Sequence, residues 1–155
     1  MTSKAFQDYY TDEFASCFGC GRLNKHGLQI KSYWDGEESV CHFQPKHYYT
    51  GGFPGYVYGG LIASLIDCHA AGTASAIKYR DRKKDMDNNA PLRFVTASLH
   101  VDYLAPTPID STLELRGKVK EIKGRKVIVG ITLSAKGKVC AKGEVVAVQM
   151  PEDFS

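Results

Sequence analysis

The stretch Pro54-Gly55-Tyr56-Val57-Tyr58-Gly59-Gly60-Leu61-Ile62-Ala63-Ser64-Leu65-Ile66-Asp67-Cys68-His69-Ala70-Ala71-Gly72-Thr73-Ala74-Ser75-Ala76-Ile77 decides how the rest of the chain must fold. A Pro/Gly-rich turn feeds an apolar run too long for an ordinary strand. The pattern predicts a buried helix from Gly59 to about Tyr79. One carboxylate, Asp67, interrupts it. An ionised carboxylate in an apolar helix costs several kcal/mol, roughly, unless it is paired, hydrogen-bonded or hydrated. Asp67 is therefore either a satisfied structural group or a candidate for chemistry. At about 100° per residue, Ala63, Ala70, Ala71 and Ala74 fall around Asp67, with Leu61, Ile62, Leu65, Ile66 and Ile77 on the opposite arc. One face is expected to pack and the other to leave room. Gly59 and Gly60 start the helix without side chains, so backbone N–H groups that have no intrahelical acceptor stay accessible to an anion or a developing oxyanion.

Strand patterns flank this helix. Leu28, Ile30, Ser32 and Trp34 alternate with polar neighbours, Asp35-Gly36 signals a hairpin, and 39–44 returns as a partner strand that Pro45 stops. Beyond the helix, 80–91 is polar and reads as a loop. Four period-two sets follow: Val95 to Tyr103, Leu113 to Val119, Val127 to Leu133 and Val139 to Ala147, with turns at Lys123-Gly124-Arg125 and Lys136-Gly137-Lys138. Residues 4–16 read as a short helix, and 1–25 as a segment packed on the body. A helix that is apolar on most sides needs a sheet wrapped around it. The expected fold is α+β: an antiparallel sheet of about six strands curled around one long central helix, a hotdog fold, in one domain over 1–155. The remaining sheet edge invites a second copy, giving a homodimer, with a dimer of dimers also open.

Length and composition narrow the function. A chain of 155 residues suits a single domain. A net charge of +3 is too mild for a dedicated nucleic-acid binder. The long helix carries Asp67, His69 and small polar residues, so no membrane span is expected. The first eight residues hold no apolar signal core, which sets the expectation of a cytoplasmic protein. Five scattered cysteines, an odd number, suit reduced thiols better than a disulfide framework. In Cys17-Phe18-Gly19-Cys20-Gly21 the C-x-x-C spacing offers two zinc ligands and His26 a third. No second C-x-x-C supplies a fourth, so a tight turn of small residues is expected and no metal site. Basic residues cluster at 78–84 and at Lys118, Lys120, Lys123, Arg125 and Lys126, as solvated surface or as contacts for phosphate.

Three segments together resemble the acyl-CoA thioesterases of the hotdog superfamily, in the PaaI-like branch. Cys17-Phe18-Gly19-Cys20-Gly21 with Asn24 and Gly27-Leu28 is similar to that branch's N-terminal segment. Gly55 to Asp67 is similar to its His-Gly-Gly helix start and helical aspartate. Val95 to Pro106 is similar to the strand after the helix, which bears Ser or Thr at the Thr96 position in several members. The resemblance implies hydrolysis of an acyl-CoA thioester by water, without a cofactor. The N–H of Gly59, with Gly60, would polarise the carbonyl. Asp67 would act as general base, orient the water, or attack the carbonyl itself, and Thr96 would hold the water. Two positions depart from the family: Tyr58 replaces the histidine, as an O–H donor or as packing, and Gly52 replaces an asparagine. Arg125 is the candidate for coenzyme A phosphates.

Helix geometry adds a constraint. Gly59 and Asp67 lie eight residues apart, roughly 12 Å along one helix at 1.5 Å per residue. A carbonyl and its attacking water cannot span that distance, so Gly59 of one chain is expected beside Asp67 of another. Two alternatives share the fold: an acyl-CoA-binding protein without turnover, and a dehydratase of 3-hydroxyacyl thioesters. The latter needs a histidine facing an acid, and His69 lies about 200° around the helix from Asp67.

Overall fold

The computed structural model describes residues 4–81 and 92–151. Two 3-10 turns, Phe6–Tyr9 and Asp12–Phe14, stand where one short helix was expected. Tyr10 and Thr11 between them are extended, and the N–H of Phe6 donates to the carbonyl of Ser32 at 2.9 Å, so the segment is held by strand-like pairing and no helix propagates. The strands are β1 (Tyr33–Asp35), β2 (Glu38–Phe43), β3 (Phe94–Tyr103), β4 (Leu113–Lys123), β5 (Lys126–Ala135) and β6 (Lys138–Gln149), with one helix α1 (Gly59–Asp81) between β2 and β3. Most of the expected loop over 80–91 lies outside the described residues.

All six strands form one antiparallel sheet in the order β1-β2-β4-β5-β6-β3. Hydrophobic partners such as Leu115 with Leu133 and Val129 with Val145 are in register and fully buried against the helix. Leu65 and Ile66 of α1 are sealed in the same core. This is the hotdog arrangement. By length and composition α1 is long and apolar enough to cross a bilayer, but here the sheet wraps it, as a core helix requires.

Three local expectations need correction. The strand read from Leu28 begins only at Tyr33, because Gln29 adopts φ 53° and the N–H groups of Leu28 and Ile30 donate to the carbonyls of Phe18 and Gly19. Residues 28–30 thus pair with the cysteine turn rather than with β2. Ala70 and Ala74, expected on the roomy face of the helix, are fully buried. The face that stays partly open is the narrower strip of Gly60, Ala63, Ser64, Asp67 and Ala71, which has the i, i+3, i+4, i+7 spacing of a single helical stripe.

A buried polar chain ties the N-terminal segment and β2 to the helix. The Gln7 amide donates to Ser32 Oγ at 3.0 Å, and Ser32 Oγ lies 2.8 Å from His69 Nδ1. His69 Nε2 lies 3.1 Å from Ser39 Oγ, Ser39 Oγ lies 2.6 Å from Thr73 Oγ1, and the Thr73 hydroxyl donates to the His69 carbonyl at 2.7 Å. With the Thr73 proton committed, Ser39 must donate to Thr73 and His69 Nε2–H to Ser39. Nδ1 is then the acceptor of the Ser32 hydroxyl. Every proton is placed only with a neutral imidazole.

Candidate active site

Asp67 reaches the partly open strip of α1, and β3 runs beside it. The Thr96 hydroxyl donates to Asp67 Oδ1 at 2.5 Å. The second carboxylate oxygen is left to accept a proton, and among the described residues no cation pairs with this acid. The pair lines a cavity of about 420 Å³ whose other walls include Phe14, Leu92, Phe94 and Met150. A β-bulge between Thr96 and Ser98 interrupts the pairing of β3 with β6 beside this contact.

The start of α1 forms a second concavity, about 500 Å³, lined by Gly52, Phe53, Tyr58, Gly59, Tyr103 and Leu104. The N–H groups of Gly59 and Gly60 have no partner among the described residues. The Tyr103 hydroxyl donates to the Gly59 carbonyl at 2.7 Å, fixing the first turn against β3. A Cβ on residue 60 would fall 2.5 Å from the Tyr58 ring, so glycine there lets the phenol lie across the helix start. Tyr58 is exposed, and a Cβ on residue 52 would meet nothing within 4 Å. Room for a side chain at 52 exists, but none is supplied.

Asp67 and Thr96 are thus brought together, as are Tyr58, Gly59 and Gly52 with Gly60 beside them in the helix start, yet the two groups line different cavities of one protomer. Arg125 lines neither. Its hairpin docks at the other end of the helix, where Lys78 Nζ donates to the Gly124 carbonyl at 3.0 Å. His69, the residue a dehydratase would need, is sealed in its serine pair and reaches neither cavity.

One feature had no sequence expectation. Cys68, next to Asp67, meets Cys17 and Cys20, and the three sulfurs lie within 4.8 Å of one another. His26, the proposed third ligand of the cysteine motif, is exposed and outside this group. Hydrogen bonds from the Cys20 and Cys68 thiols, with the N–H groups of Cys20 and Gly19, hold Cys17 far below the usual thiol range, at about 2. Hydrogen bonding to that thiolate pushes Cys20 up to about 12 and Cys68 further up still, with burial adding to both. The cup holds one negative charge readily and resists a second.

Residues 54–142, more than half of the chain, match the thioesterase superfamily. The chain belongs to that superfamily. A thioesterase superfamily protein from Shewanella loihica PV-4 superposes with a TM-score of 0.66 at 51% identity, over 83% of this chain and 96% of that one. Acyl-coenzyme A thioesterase THEM4 of Rattus norvegicus is 31% identical over 111 residues, 70% of this chain and 42% of the relative. The chain spans less than half the length of the curated relatives it matches. The PaaI protein of the E. coli phenylacetic acid degradation operon shares this fold, with a TM-score of 0.64 at 17% identity over 80% of this chain and 81% of that one.

Proposed function

We propose that this chain hydrolyses acyl-CoA thioesters at sites shared between two copies. The observation that carries the proposal is the Asp67–Thr96 pair on the wall of an apolar cavity. Thr96 holds an attacking water, and Asp67 takes its proton as the oxygen adds to the thioester carbonyl. The oxyanion then needs preorganised donors, which the unpartnered N–H groups of Gly59 and Gly60 supply from the other copy. Collapse of the tetrahedral intermediate breaks the C–S bond. The thiolate of coenzyme A leaves and the proton held on Asp67 returns to it. Phe14, Leu92, Phe94 and Met150 suit an acyl group.

Strand β3 supports the shared site. It is one of the two edges of the sheet, with Val95, Leu99 and Tyr103 exposed, and it touches α1 at both ends, Thr96 on Asp67 and Tyr103 on Gly59. Antiparallel pairing of β3 with its own copy, about a two-fold near the middle of the strand, brings the Thr96 end of one copy toward the Tyr103 end of the other. The acid of one chain then comes beside the donors of the other.

A second proposal is binding of acyl-CoA without turnover, favoured by the Tyr58 ring lying across the helix start. Release of free thiol from a panel of acyl-CoAs separates the two. Turnover abolished by Asp67→Asn supports hydrolysis. Saturable binding with no thiol release from the wild-type protein overturns it in favour of the binding role.

A further inference from the structure

We infer that Cys17, Cys20 and Cys68 form a binding site for a divalent thiophilic cation, with Zn²⁺ as the fitting member of that class, set in the wall of the Asp67 cavity. The three sulfurs come from two parts of the chain, two from the N-terminal turn and one from the middle of α1, and lie within 4.8 Å of one another. Cys17 Sγ and Cys68 Sγ are 3.8 Å apart. Two thiolates bound tetrahedrally at about 2.3 Å from one zinc ion lie about 3.8 Å apart, so the pair is already spaced for the metal.

The surrounding turn is shaped for this cup. A Cβ on residue 19 would stand 2.3 Å from Cys68 Sγ, so only glycine at that position lets the helix sulfur sit over the C-x-x-C turn. The turn is itself pinned, Gly21 N–H to the Cys17 carbonyl at 2.8 Å and Ile30 N–H to the Gly19 carbonyl at 3.0 Å. Three thiolates leave a tetrahedral ion with one position, and all three cysteines line the cavity, so that position faces water or a ligand from the cavity. Each thiol that ligates gives its proton to solvent. The bound ion would staple the N-terminal turn to the helix at the residue following the acid, whether or not the chain turns over a thioester.

Metal content of the full-length protein, purified without chelator under reducing conditions, is the direct test. About one zinc per chain is expected. Co²⁺ exchanged into the chelator-stripped protein should give the thiolate-to-metal charge-transfer and ligand-field bands of a tetrahedral sulfur site. Cys17→Ser should weaken Zn²⁺ binding by roughly 100-fold or more, beyond what loss of an outer partner does. Cys140→Ala, outside the cluster, should leave it unchanged. Should Cys17→Ser fail to fold, alkylation of the wild-type protein decides the point, since bound Zn²⁺ should protect Cys17, the exposed thiol of the five, and chelator should release it. Reduced, folded protein that takes up neither ion when supplied in excess would overturn the inference. So would a Cys17 or Cys68 disulfide in the protein as purified, found as a mass two hydrogens short that reductant restores.

Discussion

Acid should destabilise this fold through one buried imidazole, and the size of the effect follows from the structure. His69 is fully buried, and burial lowers its pKa from the ordinary 6.5 to about 4. Its Nδ1 accepts the Ser32 hydroxyl, so a proton on Nδ1 would face another donor, while the Gln7 amide already occupies Ser32 Oγ. The unfolded chain therefore binds the proton more tightly than the folded one. The contribution is fully present above pH 6.5 and is lost as the pH falls through 4. The drop from 6.5 to about 4 corresponds to about 3 kcal/mol in full, of which about 2 kcal/mol is lost by pH 5. Urea unfolding at pH 7 and pH 5, at one protein concentration so that any subunit association contributes equally, measures the loss. His69→Gln keeps an N–H donor and a carbonyl acceptor but cannot titrate. It should be less stable than wild type at pH 7 and lose about 2 kcal/mol less on going to pH 5. Equal losses in the two proteins would refute the reasoning, because the acid sensitivity would then belong to other groups.

Further outcomes are expected at the site and in the core. Asp67→Asn should lower kcat for thiol release by about 10²- to 10⁴-fold, the usual contribution of a general base, and Thr96→Val by less, both with little change in KM. Gly59→Pro removes one donor at a position where proline is tolerated in a helix, and should be inactive yet folded. Co-expressed with Asp67→Asn, it should recover about a quarter of wild-type activity, because half of randomly mixed dimers carry one intact site. No recovery would place the acid and the donors in the same chain. Leu65→Ala, at a fully buried position, should cost about 2–5 kcal/mol in urea unfolding.

Much of the architecture was legible because burial on one face repeats with the period of the element that does the burying. The glycine start and apolar run gave α1 within two residues of its observed end, Asp81. The alternation in 113–119, 127–133 and 139–147 gave β4 to β6, each buried on one side. The same logic failed at Leu28, where the alternation is present but the backbone turns left-handed at Gln29 and pairs with the cysteine turn. That pairing depends on a segment brought in from elsewhere, which no local window contains. The partners of Asp67 divide along the same line. Its unusual setting is visible in the helix itself, whereas Thr96, twenty-nine residues on, came only from resemblance to a family. Cys68 was hidden for a further reason: a small thiol in an apolar helix looks like any core residue, and Cys17 lies 51 residues away.

The separation of the two cavities gives the edge strand a role that the sequence pattern could not assign. In β4 to β6 the apolar positions face the helix, so their alternation reports the core. In β3 Phe94 and Val101 pack on the core, Val95 and Leu99 are exposed, and Thr96 and Tyr103 reach the helix through hydrogen bonds to Asp67 and Gly59. An edge strand that leaves such apolar side chains uncovered is built to be covered by something outside the chain. If that cover is a second copy of the same strand, a single two-fold both buries these side chains and moves each Asp67 beside the free N–H groups that its own helix holds roughly 12 Å away. Replacing Leu99 with Lys should then separate the subunits and abolish turnover together, while leaving the far-UV spectrum of the fold unchanged. A monomeric Leu99→Lys protein that retains wild-type kcat would show that acid and donors meet by some route that does not cross this edge.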